Sequence, residues 1–287
     1  MQNYRPGTFD SRIIEYEKVH QISDEQINAL IKAVSLKPNQ KVLDGCSGYG
    51  SVTKWLLERA PQEITETCSF YLRDDSTVQI ERAESNLKKW NNIEYTTGKI
   101  ESPAYPDDFF DIVVIKMGLH ENPKKVQADM VRDVFRILRP GGTFVVWELY
   151  LNEKTQPIFQ SFMHKKDSLA GFDTLARIRY FPRSDEIKEH IISSGFENFK
   201  ENYIFNPVLS TKVRLRELIS RELKESNKTE PDETLNKLAN KRLHELNEFF
   251  RNELTDDQKK VIKFEDTGDS ITIYNIDKAI VTANKPA

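Results

Sequence analysis

The sequence predicts an α/β protein built around a doubly wound, mostly parallel β-sheet. Two observations lead to this prediction. Short, continuously apolar runs alternate with longer segments between Lys41 and Leu151, and the apolar residues of the longer segments recur every three or four positions. Continuous apolar runs fit strands that are buried on both faces, and intervening helices favour parallel pairing through right-handed crossovers.

The elements follow one another in regular order. Four segments have the composition of buried strands: KVLDG, SFYLRD, FFDIVVIKM and GTFVVWELYL. Two of the intervening segments place apolar residues on a single helical face, namely Ile80, Ala83, Leu87 and Trp90, and then Val126, Met130, Val134 and Leu138. Ser76 is a typical helix N-cap, and the residues Arg139 to Gly142 predict a helix stop followed by a turn.

The second half of the chain is less regular. Helices are predicted over residues 154–170 and 184–194, followed by a strand over residues 196–205. Residues 207–263 are rich in charges of both signs and carry leucines at helical spacing, so they predict an all-helical insertion. The final segment, SITIYNIDKAIVTANK, again resembles a strand. Three parts are therefore expected: an N-terminal helical arm at 1–36, an α/β domain at 37–206 and 264–287, and the insertion at 207–263.

Composition narrows the classes of function. The chain has 287 residues, and its net charge of -3 gives no basic footprint for a nucleic acid. Two cysteines, Cys46 and Cys68, are too few for a disulfide framework, and no apolar run is long enough to span a membrane. No paired Cys or His spacing of the zinc type is present. We expect a cytoplasmic protein without a metal, a membrane or a nucleic acid as partner.

The segment DGCSGYGS predicts a ligand site. Asp44 ends the first predicted strand, and Gly48 and Gly50 would let a ligand approach the backbone closely. The next strand also ends in acids, Asp74 and Asp75, where a carboxylate is well placed to accept hydrogen bonds from the hydroxyls of a ribose. Ligands of doubly wound sheets bind beyond the carboxyl ends of the strands. Asp44 also has a second interpretation, as a cap of the following helix.

These motifs resemble those of the class I S-adenosylmethionine-dependent methyltransferases. The similarity lies in DGCSGYG, in Asp74-Asp75-Ser76, in FFDIVVIKMGLHE and in ILRPGGTFVVWE, which stand in the family's order between Lys41 and Glu148. The resemblance implies a seven-stranded Rossmann-like sheet and S-adenosyl-L-methionine as the cofactor. It also implies a set of cofactor contacts: Asp44, Gly45, Cys46, Gly48, Gly50, Asp74, Asp75, Lys99, Ile100, Lys116 and Met117.

Two positions depart from the family pattern. Cys46 stands where the family usually has the first glycine of the loop, so a side chain occupies a point of close approach. Lys99 stands where the family usually has an acid near the adenine amino group. Adenine recognition is then expected from backbone groups near Ile100, or from Glu101.

The candidate catalytic residues are His120 and Glu121, which directly follow the fourth predicted strand. Histidine has an unperturbed pKa close to neutral pH, so His120 is a candidate general base, and Glu121 is a candidate for orienting or polarising the imidazole. Alternatively, Glu121 begins the cap of the next helix. A reaction that depends on alignment alone, without a base, also stays open at this point.

The resemblance implies transfer of the sulfonium methyl group to a small or medium-sized organic acceptor by in-line displacement. Three alternatives remain: a methyltransferase that acts on RNA or protein, a nicotinamide-dependent oxidoreductase, and a non-catalytic cofactor-binding module. The insertion, together with residues 154–182, is expected to form an acceptor-binding lid. The expected lining consists of phenylalanines: Phe159, Phe162, Phe172, Phe249 and Phe250. The N-terminal arm with Tyr4, Phe9 and Tyr16 is expected to cover the cofactor. The identity of the acceptor, the methylated atom and the oligomeric state stay open.

Overall fold

The computed structural model describes residues 9–11, 22–101 and 105–287, and these residues divide into two compact units. The first, called the sheet unit, contains residues 23–149, 184–204 and 278–287. The second, called the helical unit, contains residues 150–183, 205–277 and the described residues before Ile22. These bounds differ from the expected ones, because residues 150–183 group with the insertion and the helix over residues 24–34 groups with the sheet.

The sheet unit contains the predicted seven-stranded, mostly parallel sheet. The strands are β1 Lys41–Gly45, β2 Ser69–Asp74, β3 Ile93–Thr97, β4 Phe110–Lys116, β5 Leu138–Leu149, β6 Glu197–Phe205 and β10 Lys278–Asn284. Their order is β3-β2-β1-β4-β5-β10-β6, and β10 runs antiparallel to β5. The order reverses next to β1, so a crevice is expected beyond the carboxyl ends of β1 and β4. The fold prediction is confirmed.

Helices connect these strands where the apolar periodicity predicts them. Their bounds are α1 Asp24–Val34, α2 Ser51–Arg59, α3 Gln62–Thr65, α4 Thr77–Leu87, α5 Lys124–Ile137 and α8 Ser184–Ser193. The side chain of Ser76 accepts a hydrogen bond from the backbone N–H of Gln79 and so caps α4, as predicted. Ile80, Ala83 and Leu87 are buried on one face of this helix. Sequence periodicity therefore located these helices, although Trp90 and Leu138, predicted on the same helical faces, lie just beyond the helix ends at Leu87 and Ile137.

The passage from α5 to β5 differs from the prediction. Helix α5 ends at Ile137, and β5 begins at the next residue, with Leu138 paired to Phe110 of β4. The expected turn over residues 139–142 is part of the strand and coincides with a register shift between the two strands. Gly141 has a positive φ of 75°, which glycine adopts without steric strain. The irregularity is accommodated inside the strand instead of before it.

The helical unit contains the predicted insertion over residues 207–263, which is mainly helical, as predicted, with one two-residue strand. Its helices are α6 Thr155–Leu169, α7 Asp173–Ile178, α9 Ser220–Glu225, α10 Glu233–Glu253 and α11 Asp256–Val261. It also contains a small antiparallel sheet of β7 Leu209–Ser210, β9 Ile271–Ile273 and β8 Glu265–Asp266, in the order β7-β9-β8. Of these three strands, only β7 lies inside the insertion, and a two-residue strand has no periodicity to detect. Strand β9 lies in the segment SITIYNIDKAIVTANK, which was predicted to resemble a strand.

Phenylalanine side chains form much of the interior of the helical unit. The rings of Phe162 and Phe250 lie 5.0 Å apart, and Phe159 packs against Phe162 and Phe181. Phe159, Phe162, Phe172 and Phe250 are all buried. These four predicted lining residues pack in the core of their own unit, and the fifth, Phe249, is half-buried and packs against Phe250.

A group of buried charges lies in the same unit. Lys166 Nζ contacts Glu217 Oε2 at 2.7 Å and Asp167 Oδ1 at 3.0 Å. Arg214 contacts the other oxygen of Glu217 at 2.7 Å, and Arg179 contacts Asp167 at 2.5 Å. All five side chains are at most 3% exposed. Buried charges need such mutual pairing, because leaving one unpaired costs several kcal/mol.

A search of the described residues found no helix that is both long and apolar enough to cross a membrane.

Candidate functional site

Three adjacent strands bring the candidate residues together at one edge of the sheet. Parallel pairing places Gly45, at the end of β1, beside Ile115 of β4, and Lys116, at the end of β4, beside Trp147 of β5. The chain leaves the sheet just beyond these positions. The segments that follow β1 and β4 therefore both start at the carboxyl edge, where a doubly wound sheet binds its ligand.

The loop after β1 has a left-handed backbone at three positions. Gly48 and Gly50 have φ values of 54° and 82°, and Cys46 has a φ of 57°. A left-handed conformation is unusual for a residue with a side chain, which explains why this position favours glycine. The loop keeps its glycine-type backbone at Cys46. The side chain is accommodated because Gly118 lies opposite it: a Cβ on Gly118 would be 2.6 Å from the Cys46 Cβ.

Asp74 joins the end of β2 to the glycine loop. One carboxylate oxygen accepts the N–H of Gly48 and the other accepts the N–H of Ser76, both at 2.9 Å. Burial raises the pKa of Asp74 to about 6, against the opposing effect of these two hydrogen bonds. Asp75, the alternative position, is exposed. The geometry therefore favours Asp74 over Asp75 as the acid that faces the loop.

Asp44 is buried and caps the helix that follows it. Its Oδ2 atom accepts hydrogen bonds from the backbone N–H and the hydroxyl of Thr53, at 3.2 and 2.9 Å. Burial raises the pKa of Asp44 to about 7, while the bonds to Thr53 and the charge of Lys116 lower it. The capping interpretation is thus observed. A cation bound nearby would favour the ionised form of this carboxyl group.

The segment after β3 covers the start of the loop. Ile100 is buried, and its Cδ1 atom lies 2.1 Å from the position that a Cβ on Gly45 would occupy. Gly45 therefore provides space for Ile100. The side chain of Lys99 is exposed, and its Nζ atom lies 3.7 Å from Glu101 Oε1. The backbone carbonyl of Lys99 accepts a hydrogen bond from Arg73 Nε. The Lys99 side chain thus points to solvent and to Glu101.

Lys116 and Met117 mark the end of β4. Lys116 Nζ lies over the rings of Trp55 and Trp147, at 5.3 and 5.9 Å from their centroids. Met117 has a positive φ of 54° and donates its N–H to the carbonyl of Trp147 at 2.7 Å. Residues held in sparsely populated backbone regions cluster at functional sites. Met117 is such a residue, in the turn that leads to His120.

His120 is buried between two carboxylates. Its Nε2 atom lies 3.0 Å from Glu121 Oε1, and its Nδ1 atom lies 2.7 Å from Glu148 Oε1. Burial lowers the pKa of His120, but the charges and hydrogen bonds of the two glutamates outweigh this effect, so the pKa is raised above its ordinary value. Glu121 thus contacts the imidazole, as one of the two interpretations of the sequence expected.

Glu148 is the residue that the sequence analysis missed. It appeared there only as the last residue of the resemblance, yet its side chain is 2% exposed and contacts His120 directly. Its position one residue beyond Trp147, at the carboxyl end of β5, was an available signal. An acid in an otherwise apolar strand, VVWEL, is costly to bury without a partner, and this cost could have drawn attention to it.

The loop and the β4 turn share an acidic environment. Burial raises the pKa of the Cys46 thiol well above its ordinary value, and four carboxylates raise it further: Asp74, Glu101, Glu121 and Asp44. The thiol is therefore neutral at physiological pH, which disfavours a nucleophilic role. Several carboxylates around one loop suit a ligand that carries positive charge.

Comparisons with known proteins show the family of the chain. A family model described as a methyltransferase domain matches residues 42–142. The ubiquinone/menaquinone biosynthesis C-methyltransferase UbiE of Hydrogenovibrio crunogenus is 30% identical over 213 residues, which cover 67% of this chain and 81% of that protein. The chain belongs to the class I S-adenosylmethionine-dependent methyltransferases. The UbiE protein of Cronobacter sakazakii, at 26% identity over 216 residues, is a second relative of this methyltransferase.

Solved structures support the fold of the methyltransferase. A Bacillus halodurans protein has a TM-score of 0.68 at 16% identity, covering 92% of this chain and all of that one. A geranyl diphosphate methyltransferase in complex with S-adenosylmethionine has a TM-score of 0.54 at 11% identity, covering 93% of this chain and 86% of that one.

The cofactor of the methyltransferase is S-adenosylmethionine, and the loop fits it. Among the described residues, no atom lies within 4 Å of the position that a Cβ on Gly48 would occupy, so the backbone is open there. The Asp74 carboxylate lies directly beside this opening. A carboxylate has about four lone-pair sites, so two backbone hydrogen bonds leave capacity for ribose hydroxyls. The surrounding acids suit the sulfonium and ammonium charges of the cofactor.

Several remaining expectations concern other parts of the methyltransferase. Tyr4 and Tyr16 lie outside the described residues, and Phe9 packs against a cluster of Ala170, Phe172 and Leu175 in the helical unit. No group of three or more His, Cys, Asp or Glu residues suited to a metal ion was found in the described part of the chain.

Proposed function

We propose that the methyltransferase acts on a small organic molecule whose nucleophilic atom becomes reactive when a proton leaves. A phenol, an enol or a carbon atom conjugated to either group fits this description. The proposed base is the pair formed by His120 and Glu121, and the proposed cofactor contacts are those of the glycine loop together with Asp74. The observation that carries the proposal is the 3.0 Å contact between His120 Nε2 and Glu121 Oε1, in the turn directly beyond β4.

The location of this pair supports a role in the reaction. The turn begins at Gly118, which lies against Cys46 of the glycine loop, and the charge of Glu121 acts on the Cys46 thiol. The pair therefore belongs to the same acidic environment as the proposed cofactor contacts. A base must lie within hydrogen-bond reach of the proton that it removes, and a position beside the cofactor loop is compatible with this requirement.

The activities for which similar proteins are named support the class of acceptor. UbiE is named as a C-methyltransferase of ubiquinone and menaquinone biosynthesis, and a structural neighbour is named for geranyl diphosphate, so both names point to small organic molecules. Methylation at carbon requires an electron-rich carbon atom. Removal of a proton from a conjugated hydroxyl group provides one, which is the task proposed for the base.

The protonation of the pair determines when it can act. In the neutral Nδ1–H tautomer of His120, Nε2 is an acceptor, as is Oε1 of an ionised Glu121, so their contact holds one proton. The active form lacks this proton, and its population grows as the pH rises through the raised pKa of His120. The proton of the acceptor then fills the position between the two atoms. Bound S-adenosylmethionine supplies a methyl group on a positively charged sulfur, which keeps the electron pair of the broken bond.

The test combines an acceptor screen with a variant. The protein is incubated with S-adenosylmethionine carrying a labelled methyl group and with sets of phenols, enols, RNA and protein. Label in a phenol or enol supports the proposal, whereas label only in RNA or protein overturns it. His120→Ala should lower turnover about 100- to 10,000-fold with unchanged cofactor affinity. The matched control is His244→Ala, at an exposed histidine of the helical unit.

The same variant separates the base from alignment alone. If the loss in His120→Ala is below about tenfold and the pH profile is unchanged, His120 is not part of the base, and positioning of the acceptor provides the acceleration. Cofactor binding without turnover on any acceptor would instead favour a non-catalytic module. Calorimetry with S-adenosylmethionine identifies that case.

A further inference from the structure

We propose that Glu148 is a positioning residue for the methyl transfer, because it fixes the ring of His120 so that Nε2 is the nitrogen that faces Glu121 and exchanges the proton. The inference rests on the proposed function of the His120–Glu121 pair and adds a third member, from a different strand, to it. Glu148 does not reach Glu121 or the acceptor in this account. It acts only through His120.

The geometry around Glu148 leaves its carboxylate little freedom. Oε1 lies 2.7 Å from His120 Nδ1 and accepts the backbone N–H of Leu149 at 2.8 Å, and Oε2 accepts the backbone N–H of His120 at 3.3 Å. The side chain is 2% exposed at the end of β5. Two backbone N–H groups hold this carboxylate in place, and both of its oxygens act as acceptors. It can therefore determine the orientation of the imidazole.

The consequence for the imidazole is a defined tautomer. An ionised carboxylate only accepts hydrogen bonds, so the Nδ1 atom beside Glu148 carries a hydrogen. Nε2 is then the nitrogen that loses and regains a proton, and it points to Glu121. Many catalytic sites use the same arrangement, in which a third group holds the base in the correct orientation. In such arrangements, removal of the orienting charge changes the tautomer and lowers turnover.

Titratable groups around the turn that holds His120 come from three parts of the sheet unit. Glu148 faces the ring from β5, and Glu121 faces it from the same turn. From the β1 loop, Cys46 lies against Gly118, and its thiol stays neutral because burial and the nearby carboxylates raise its pKa. The two glutamates are therefore the charges in direct contact with the imidazole among the described residues. Loss of one of them should lower the pKa of His120.

Nuclear magnetic resonance of the imidazole nitrogens tests this proposal in the protein without cofactor or acceptor. In the wild-type protein, we expect the Nδ1–H tautomer and titration of Nε2 above the ordinary pKa of histidine. In Glu148→Gln, the pKa should fall and the Nε2–H tautomer should appear, because the amide can donate to Nδ1. Wild-type spectra that show Nδ1 without a hydrogen would overturn the proposal even if the variant does not fold.

Kinetics provide the second measurement. Glu148→Gln should lower kcat roughly 10- to 100-fold, with an unchanged KM for the cofactor, and should move the acid limb of the pH profile to lower pH. Glu148→Asp, which keeps the charge, should recover part of the activity. The matched control is Glu186→Gln, at another buried glutamate of the sheet unit that pairs with Lys124. It should leave the His120 titration and the pH profile unchanged.

A double variant distinguishes a positioning role from a purely structural one. If Glu148 acts only through His120, Glu148→Gln should cost no further activity in a His120→Ala background. An equal loss in both backgrounds overturns the proposal. The two proposals fail separately: a lower His120 pKa in Glu148→Gln, together with flat pH profiles in both proteins, supports the Glu148–His120 coupling and rejects His120 as the base.

Discussion

Cys46 and Gly118 depend on each other for space. A Cβ on Gly118 would lie 2.6 Å from the Cys46 Cβ and 2.9 Å from its Sγ, which is too close for either atom. Cys46 itself has a positive φ of 57°, in the part of the loop where its family favours glycine. The side chain of Cys46, in the loop after β1, therefore fits only because Gly118, in the turn after β4, has no side chain.

This relationship predicts compensation between two substitutions. Gly118→Ala should destabilise the protein by about 1–3 kcal/mol, because the added methyl group overpacks the site. Cys46→Gly removes the clashing atoms and relieves the left-handed backbone, so the double variant should recover most of the loss. Chemical denaturation of the four proteins gives the coupling energy. Additive losses would show that the two residues do not interact.

Asp74 should be a principal determinant of cofactor affinity. Asp74→Ala removes a charged acceptor worth about 1.5–3 kcal/mol, which corresponds to roughly a 10- to 150-fold weaker affinity for S-adenosylmethionine. Asp75→Ala is the control, because Asp75 is adjacent but exposed. Calorimetry of both variants measures the effect. A larger loss of affinity in Asp75→Ala would assign cofactor binding to Asp75. Equal affinity in both variants and the wild type would show that neither acid at the end of β2 binds the cofactor.

Asp44 should make the stability of the cofactor-free protein depend on pH. Its pKa is about 7 in the folded state against an ordinary value of 3.8, so the folded state binds more protons between these values. Stability from this group is therefore present at low pH and is lost as the pH rises through about 7. Asp44→Asn cannot ionise and keeps an oxygen acceptor for Thr53. It should be more stable than the wild type above about pH 7, by on the order of 1–3 kcal/mol, and should bind the cofactor more weakly.

Urea denaturation across this pH range checks the Asp44 prediction. The curves of free energy of unfolding against pH should diverge for the two proteins as the pH rises. Parallel curves would mean that the Asp44 carboxyl group titrates at the same pH in the folded and unfolded states.

Glu217 should contribute strongly to the stability of the helical unit. Glu217→Ala leaves Lys166 and Arg214 without this buried partner, and breaking a buried pair from one side costs about 3–5 kcal/mol. Glu233→Ala is the control, because its pair with Lys237 is at least 76% exposed and such pairs contribute about 1 kcal/mol or less. Thermal unfolding followed by circular dichroism compares the two. Similar melting temperatures in both variants would contradict the prediction.

Much of the candidate site was predictable from local sequence. Asp44, Asp74 and His120 each stand at or just beyond the end of an apolar run, and the carboxyl ends of parallel strands meet at one edge of the sheet. The choice between Asp74 and Asp75 was different, because a shift of one residue reverses the direction of a side chain near a strand end. Only the hydrogen bond from Gly48, 26 residues earlier in the chain, decides it.

The sequence by itself determined the type and order of the secondary structure, because helical and strand periodicities are local and the glycine loop is a contiguous motif. The tertiary structure decided which distant residues meet. Glu148 reaches His120 across 28 residues because β4 and β5 are paired neighbours in the sheet, and Gly118 lies against Cys46 because β4 is a neighbour of β1. Residues 150–183 belong to the helical unit because they pack against its other elements. Such contacts depend on the packing of whole elements, and no pattern within a short segment encodes them.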